Sequence, residues 1–229
     1  MLCGAFSRGC AITPTWSRSF DRKKMPNLSP SIATGFFVGE MMDKLLACAK
    51  AFEDLLNTKY KIIIAHKSNQ LELHISFNAI DFHHLMGLGK LKDLRIHREN
   101  RTDVFKKILK NMISYETIKN SRYIQEIENR FEPLSHLENL LDNNYLTFRY
   151  CQSQNPTSTI EADFLLSSKY QNNDIYIFLA SKSDKSNYFC RSFFPKTNRD
   201  YTIGQTKYTL MYKEKRTIST GETVVQYER

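Results

Sequence analysis

The spacing of apolar residues changes once along this chain, near Tyr145, and that change limits the possible folds more than any other feature. Before it, apolar residues recur at three and four. In "MMDKLLACAKAFEDLLNTKY", Leu45, Leu46, Ala49, Phe52, Leu55 and Leu56 fall on one helical face. The next stretch, "YKIIIAHKSNQLELHISF", runs apolar, turns at Ser68-Asn69, then alternates strictly through Leu71, Leu73, Ile75 and Phe77, which reads as a β-hairpin with His74 on its polar face. Between Asp103 and Asp142, "DVFKKILKNMI", "SRYIQEIENRF" and "PLSHLENLLDN" read as helices, with Pro133 opening the last. After Tyr145, "YLTFRY", "ADFLL", "DIYIFLAS", "NYFCRSFF", "KYTLMYKEK" and "ETVVQYE" are strand-like and separated by polar clusters. The expected class is α+β: N-terminal helices and a β-hairpin, then an antiparallel β-sheet, with residues 41–229 forming one domain. Fifteen Phe and twelve Tyr against one Trp and eight Gly suit a β-rich core.

Residues 1–40 are rich in Ser, Thr, Pro and Gly, lack periodicity, and carry five basic residues against Asp21 and Glu40. They read as a flexible basic leader or an organelle transit peptide, with Met25, Met41 and Met42 as alternative starts. No apolar run reaches the roughly 18 residues of a membrane span, so no membrane partner is expected. Cys3, Cys10, Cys48, Cys151 and Cys190 form no CxxC pair and no metal spacing with histidine, which suits reduced thiols and a cytoplasmic location. No Gly-rich phosphate loop is present. The formal net charge of +9 favours a polyanion, nucleic acid first, because phosphates release counterions when they meet basic surface.

Six histidines are present, and two stand together in "IDFHHLMGLGKLKDL". Asn78 and Asp81 imitate a capping box, so a helix should start near Ala79, and Gly87 could stop it. On such a helix Phe82, Leu85 and Met86 form the buried face, while His83 and His84 point about 100° apart. Adjacent imidazoles so splayed cannot share a metal ion, and no cofactor is expected. If the helix runs on through the glycines, positions 83, 87 and 90 share a side and group His83 with Lys90, while His84 turns toward Leu88 and Leu91. His83 is then the better catalytic candidate. Both histidines could equally sit at the edge of a core helix.

On the C-terminal strands, regular alternation would place Arg191 and Ser192 on opposite faces. It would put Lys207, Thr209, Met211 and Lys213 on one face, and Tyr208, Leu210 and Tyr212 on the other. A face with lysine, threonine and aromatic residues can hold phosphate and stack a base, although a solvated sheet face carries the same residues.

The order "CAKAFEDLLNTKYKIII … DFHHLMGLGKLKD … ADFLLSS … IYIFLASK … CRSFFPKTNRDYTIGQTKYTLMYKEK" resembles the phage-associated Barnase-EndoU-Colicin-RelE-like nucleases, the fourth such family above all, over roughly residues 42–216. The resemblance implies a BECR fold, in which helices precede a four-stranded antiparallel sheet. It also implies metal-independent RNA cleavage by toxins or proteins of phage-host conflict, with an antitoxin or immunity protein as a further partner. A polar residue, often histidine, stands in the family where this chain has Gly89, which shifts the work to His83, His84 and Lys90. The expected activity is a toxin-like endoribonuclease using 2′-OH attack. His83 is the base or acid, with His84 as its substitute. Lys90, Arg191 and Lys213 hold phosphate, Ser192 and Thr209 hydrogen-bond to it, and Lys207, Tyr208 and Tyr212 contact substrate. The competing readings are a non-catalytic RNA- or protein-binding module and a magnesium-dependent DNase, for which Glu161 and Asp163 are the available carboxylates.

Overall fold

The computed structural model describes residues 42–144, 146–181 and 186–229; the leader expected at 1–40 lies outside them. In chain order the elements are α1 (Lys44–Leu55), β1 (Thr58–His66), β2 (Asn69–Ser76), α2 (Ala79–Met86), α3 (Arg101–Leu109), α4 (Tyr115–Ile118), α5 (Phe131–Leu134), α6 (Leu137–Asp142), β3 (Leu146–Arg149), β4 (Phe164–Tyr170), β5 (Asn173–Ser181), β6 (Asn187–Pro195), β7 (Thr206–Thr217) and β8 (Thr223–Glu228).

The strands do not form a hairpin followed by a separate antiparallel sheet. They run β1-β2-β6-β5-β4-β3-β7, and β7 bonds back to β1, which closes a seven-stranded barrel with β8 added beside β7. The closure follows from the length of β7. Residues 206–208 pair with β3 on one edge, while residues 209–217 pair with β1 on the other. The β1–β2 hairpin is therefore part of the barrel wall, and its second strand joins β6 in parallel. Closure gives every strand of the ring a neighbour on each side, although β2 and β6 pair over only two residues.

The middle third is also less helical than its spacing predicts. Beyond α3 it breaks into short pieces, including 3-10 turns at Ile124–Glu126 and Glu128–Arg130. A spacing of three suits a 3-10 turn as well as an α-helix, because residues three apart eclipse. Ile124, Ile127 and Arg130 are all buried as a result. Pro133 lies inside α5 and does not open α6.

One large core joins α1, α2 and the middle segment to alternate residues of the strands, among them Tyr60, Ile62, Ile75, Ile177, Leu179, Cys190 and Phe193. A second, smaller cluster of Tyr150, Leu165, Tyr176 and Phe178 uses the intervening residues of β4 and β5, with Phe194 and Tyr201 packed on it. Cys48, Cys151 and Cys190 are free thiols.

Two bulges redistribute side chains that strict alternation would have placed otherwise. Opposite β5, Phe178 pairs with Ser192 and Leu179 with Cys190, so Arg191 is an extra residue. Opposite β1, Ile63 pairs with Tyr212 and Ile64 with Leu210, so Met211 is extra. Each extra residue reverses the face taken by the later residues of its strand. Lys213 consequently joins Leu210 on the inner side, fully buried. Its amine donates to the carbonyls of Leu141, Asp142 (2.8 Å) and Asn144 (3.3 Å) at the end of α6. Burial pushes its pKa down to about 8. Lys213→Met should lower unfolding free energy by about 2–4 kcal/mol, because it strands those carbonyls. A urea midpoint unchanged from the wild type would show that the amine is not holding the helix end.

Candidate active site

The histidine segment forms α2 with the bounds its caps imply. Asp81 accepts from the Asn78 N–H at 2.9 Å, and the helix stops at Gly87, whose φ of +80° is left-handed. The glycine is required twice over, since a Cβ there would also lie 2.9 Å from Ile127 Cγ2 and 3.3 Å from Arg130 Cζ. The chain then tightens into a 3-10 turn at Leu88–Lys90, so the continuous helix that would group His83 with Lys90 does not form.

The two histidines are unequal in the opposite sense to the one expected. His83 is 3% exposed and its Nε2 lies 3.3 Å from the Ile96 carbonyl, so it ties α2 to the Arg95–His97 turn. A Cβ at Gly89 would come within 3.5 Å of the His83 ring, so the residue at 89 stands over that buried face. His84 is half-buried. Its Nε2 lies 2.6 Å from Arg101 Nη1. An arginine can only donate, so this nitrogen accepts and the ring is neutral. Burial lowers the His84 pKa first, and the positive charges of Arg101 and Arg191 add to it, bringing the pKa down to about 4.

Arg191, whose charge bears on His84, is the extra residue of the β6 bulge. Cys190 and Phe193 both face the large core, so the two residues between them, Arg191 and Ser192, share the other side of the strand. Arg191 reaches Glu161 at 3.9 Å, an exposed and loose pair. Ser192 opens instead onto a cleft of about 450 Å³, which Lys90 and Arg130 also line. Lys90 pairs with Glu126 at 3.6 Å, and its pKa is lowered by burial and then by the nearby Arg130.

Of the sequence-predicted residues, then, His84 lies in the electrostatic field of Arg191, Lys90 and Ser192 line one cleft, and His83 is buried beside His84. The residues on β7 are elsewhere. Lys213 caps α6, Tyr208 packs on His66 and Phe164 at 5.4 and 6.2 Å, and the Tyr212 hydroxyl donates to Glu214 at 2.6 Å. Lys207 and Thr209 are exposed, and neither lines the cleft. Arg101 and Arg130 were not legible as site residues, because each looks like the polar face of a helix until the tertiary contact is made. Asp163 is engaged by the Ser181 N–H at 2.7 Å and by Arg149 at 3.5 Å. Among the described residues, no three His, Cys, Asp or Glu side chains gather as a metal would require. No helix among them is long and apolar enough to cross a membrane.

The profile of the phage-Barnase-EndoU-ColicinE5/D-RelE like nuclease 4 family matches residues 44–229. The chain belongs to this nuclease family. The match starts at the first residue of α1 and takes in every strand of the barrel, so the His84 group and the cleft both fall within the nuclease. No curated protein and no solved structure matches the chain.

The depressed pKa of His84 has a consequence for the stability of the nuclease. Its folded value lies below its unfolded one of about 6.5, so between those values the unfolded chain binds more protons. Stability present at neutral pH is therefore lost as pH falls from about 6.5 toward about 4. His84→Gln should flatten this part of the urea-midpoint profile. Superimposable profiles for the variant and the wild type would mean that His84 titrates normally.

Proposed function

We propose that the nuclease is a metal-independent endoribonuclease, with His84 as the base and Arg101 and Arg191 as the holders of the scissile phosphate. One observation carries the reading: a neutral imidazole is hydrogen-bonded by one arginine and lies in the field of a second. RNA brings its own nucleophile, the 2′-OH. A protein that cleaves it needs a base near that proton and positive charge at the phosphate, and this group offers both. Cations gather here where a magnesium-dependent enzyme would need convergent carboxylates.

In the proposed reaction a phosphate entering between the arginines draws Arg101 off His84 Nε2. That frees the nitrogen, and the phosphate's negative charge raises the His84 pKa toward the useful range. The 2′-oxygen attacks phosphorus while its proton passes to Nε2. The P–O5′ bond breaks, and O5′ leaves with a proton from solvent, giving a 2′,3′-cyclic phosphate and a 5′-hydroxyl. His83 positions the base through the backbone it anchors. A toxin-like role belongs to the same reading, and so does an acidic antitoxin or immunity protein, because an inhibitor of this basic mouth would need complementary charge.

The test uses purified full chain, bulk RNA and excess chelator. His84→Ala and His84→Gln should each reduce the cleavage rate by about 10²- to 10⁴-fold, the usual worth of a general base. Arg101→Ala should reduce it by about 10²- to 10³-fold. Cleavage at the wild-type rate by both His84 variants would refute the assignment, and RNA bound but left intact by the wild type would make the chain a binding module.

A further inference from the structure

Arg130 is a charged side chain placed where water reaches it poorly. It is 6% exposed and its Nη1 donates to the Leu85 carbonyl at 3.1 Å. Its Nε has no hydrogen-bond partner. The guanidinium lies 5.8 Å from the centre of the Phe194 ring. Glu126 is the carboxylate that bears on it electrostatically, but Glu126 also pairs with Lys90 at 3.6 Å, leaving two cations to one acid. Capping the end of α2 accounts for the bond to Leu85 and explains neither the orphan Nε nor the second cation beside it.

The same guanidinium forms part of the wall of the 450 Å³ cleft, with Lys90, Ser192, Ser158, Phe194 and Tyr201. Polar and aromatic walls around a buried cation suit a phosphate with its nucleoside attached. Ser192, which lines this cleft, follows Arg191 directly on the same side of the bulged strand.

We propose that this cleft holds the phosphodiester next to the scissile one: Arg130 and Lys90 bind its oxygens, Ser192 donates to it, and Phe194 and Tyr201 flank the attached nucleoside. The inference rests on the reading of His84 and Arg191 as the cleavage centre. An anion there would relieve the repulsion between the two cations. The lowered pKa of each is consistent with this, burial being the first cause for both and bringing Arg130 to about 10.

The test measures binding of a 2′-O-methyl RNA octamer, which lacks the attacking hydroxyl, between about 50 and about 200 mM salt. Lys90→Met and Arg130→Met should each weaken binding by about tenfold or more. Each should also flatten the slope of log affinity against log salt by about 0.7, the loss of one phosphate contact on a single strand. Arg130→Lys, which keeps charge without the fork, should keep the slope and lose part of the affinity. If Arg130→Met does not fold, Lys90→Met and Arg130→Lys decide the matter. A merely structural role would leave the slope of every folded variant unchanged, and that result overturns the proposal. So does protection of the fold by inorganic phosphate without any change in octamer binding, which would assign the cleft to a free anion. Parallel cleavage of unmodified RNA separates the two readings. Active wild type with unaltered slopes in the variants defeats the cleft alone, whereas altered slopes with an inactive wild type defeat the ribonuclease reading alone.

Discussion

The pairing of β7 with β1 is the constraint on which the rest of the structure depends. It closes the barrel, fixes the register of the wall, and brings Lys213 and Lys215 against α6. Lys215 pairs with Glu138 at 2.6 Å and Asp142 at 3.0 Å, so the last helix before the strands is tied to the strand that closes them. Within this frame β6 can carry a bulge, and the bulge sets Arg191 and Ser192 side by side.

The other side of the site depends on a helix that ends on time. Gly87 supplies a left-handed turn and leaves room for Arg130 at the C-terminal end of α2, where a cation also suits the helix dipole. Arg130 and Lys90 thus stand close enough to repel each other, while Arg101 and Arg191 bear on the neutral His84. Their mutual repulsion is an internal cost of the arrangement, one that the proposed RNA ligand would offset.

Much of this was legible in the sequence at the level of elements. The helix over α1, the β1–β2 hairpin and the boundaries of α2 followed from spacing and caps, although the hairpin turns at Lys67-Ser68, one residue before the expected Ser68-Asn69. The closed barrel did not, because alternation tells which face a residue takes and says nothing about which distant strand it pairs with. Arg191 and Ser192 were expected on opposite faces, and Lys213 on an open one, because a single extra residue reverses every position after it and leaves no mark in composition. His83 was preferred over His84 on a helix assumed to continue. The left-handed turn at Gly87 ended that helix, and His83 is the more buried of the pair, held at the Ile96 carbonyl. Arg130 drew no reading from the sequence; the 3-10 turns at 124–126 and 128–130 bury it with Ile127.

The central claim is that a histidine and arginines, without a metal, turn the RNA's own 2′-OH against its phosphate. The chemistry of the cut ends tests it most directly. A defined RNA should be digested by the purified full chain in excess chelator and its fragments weighed by mass spectrometry. The account predicts 2′,3′-cyclic phosphate and 5′-hydroxyl ends. Fragments bearing 3′-hydroxyl and 5′-phosphate ends, formed only when magnesium is restored, would contradict it.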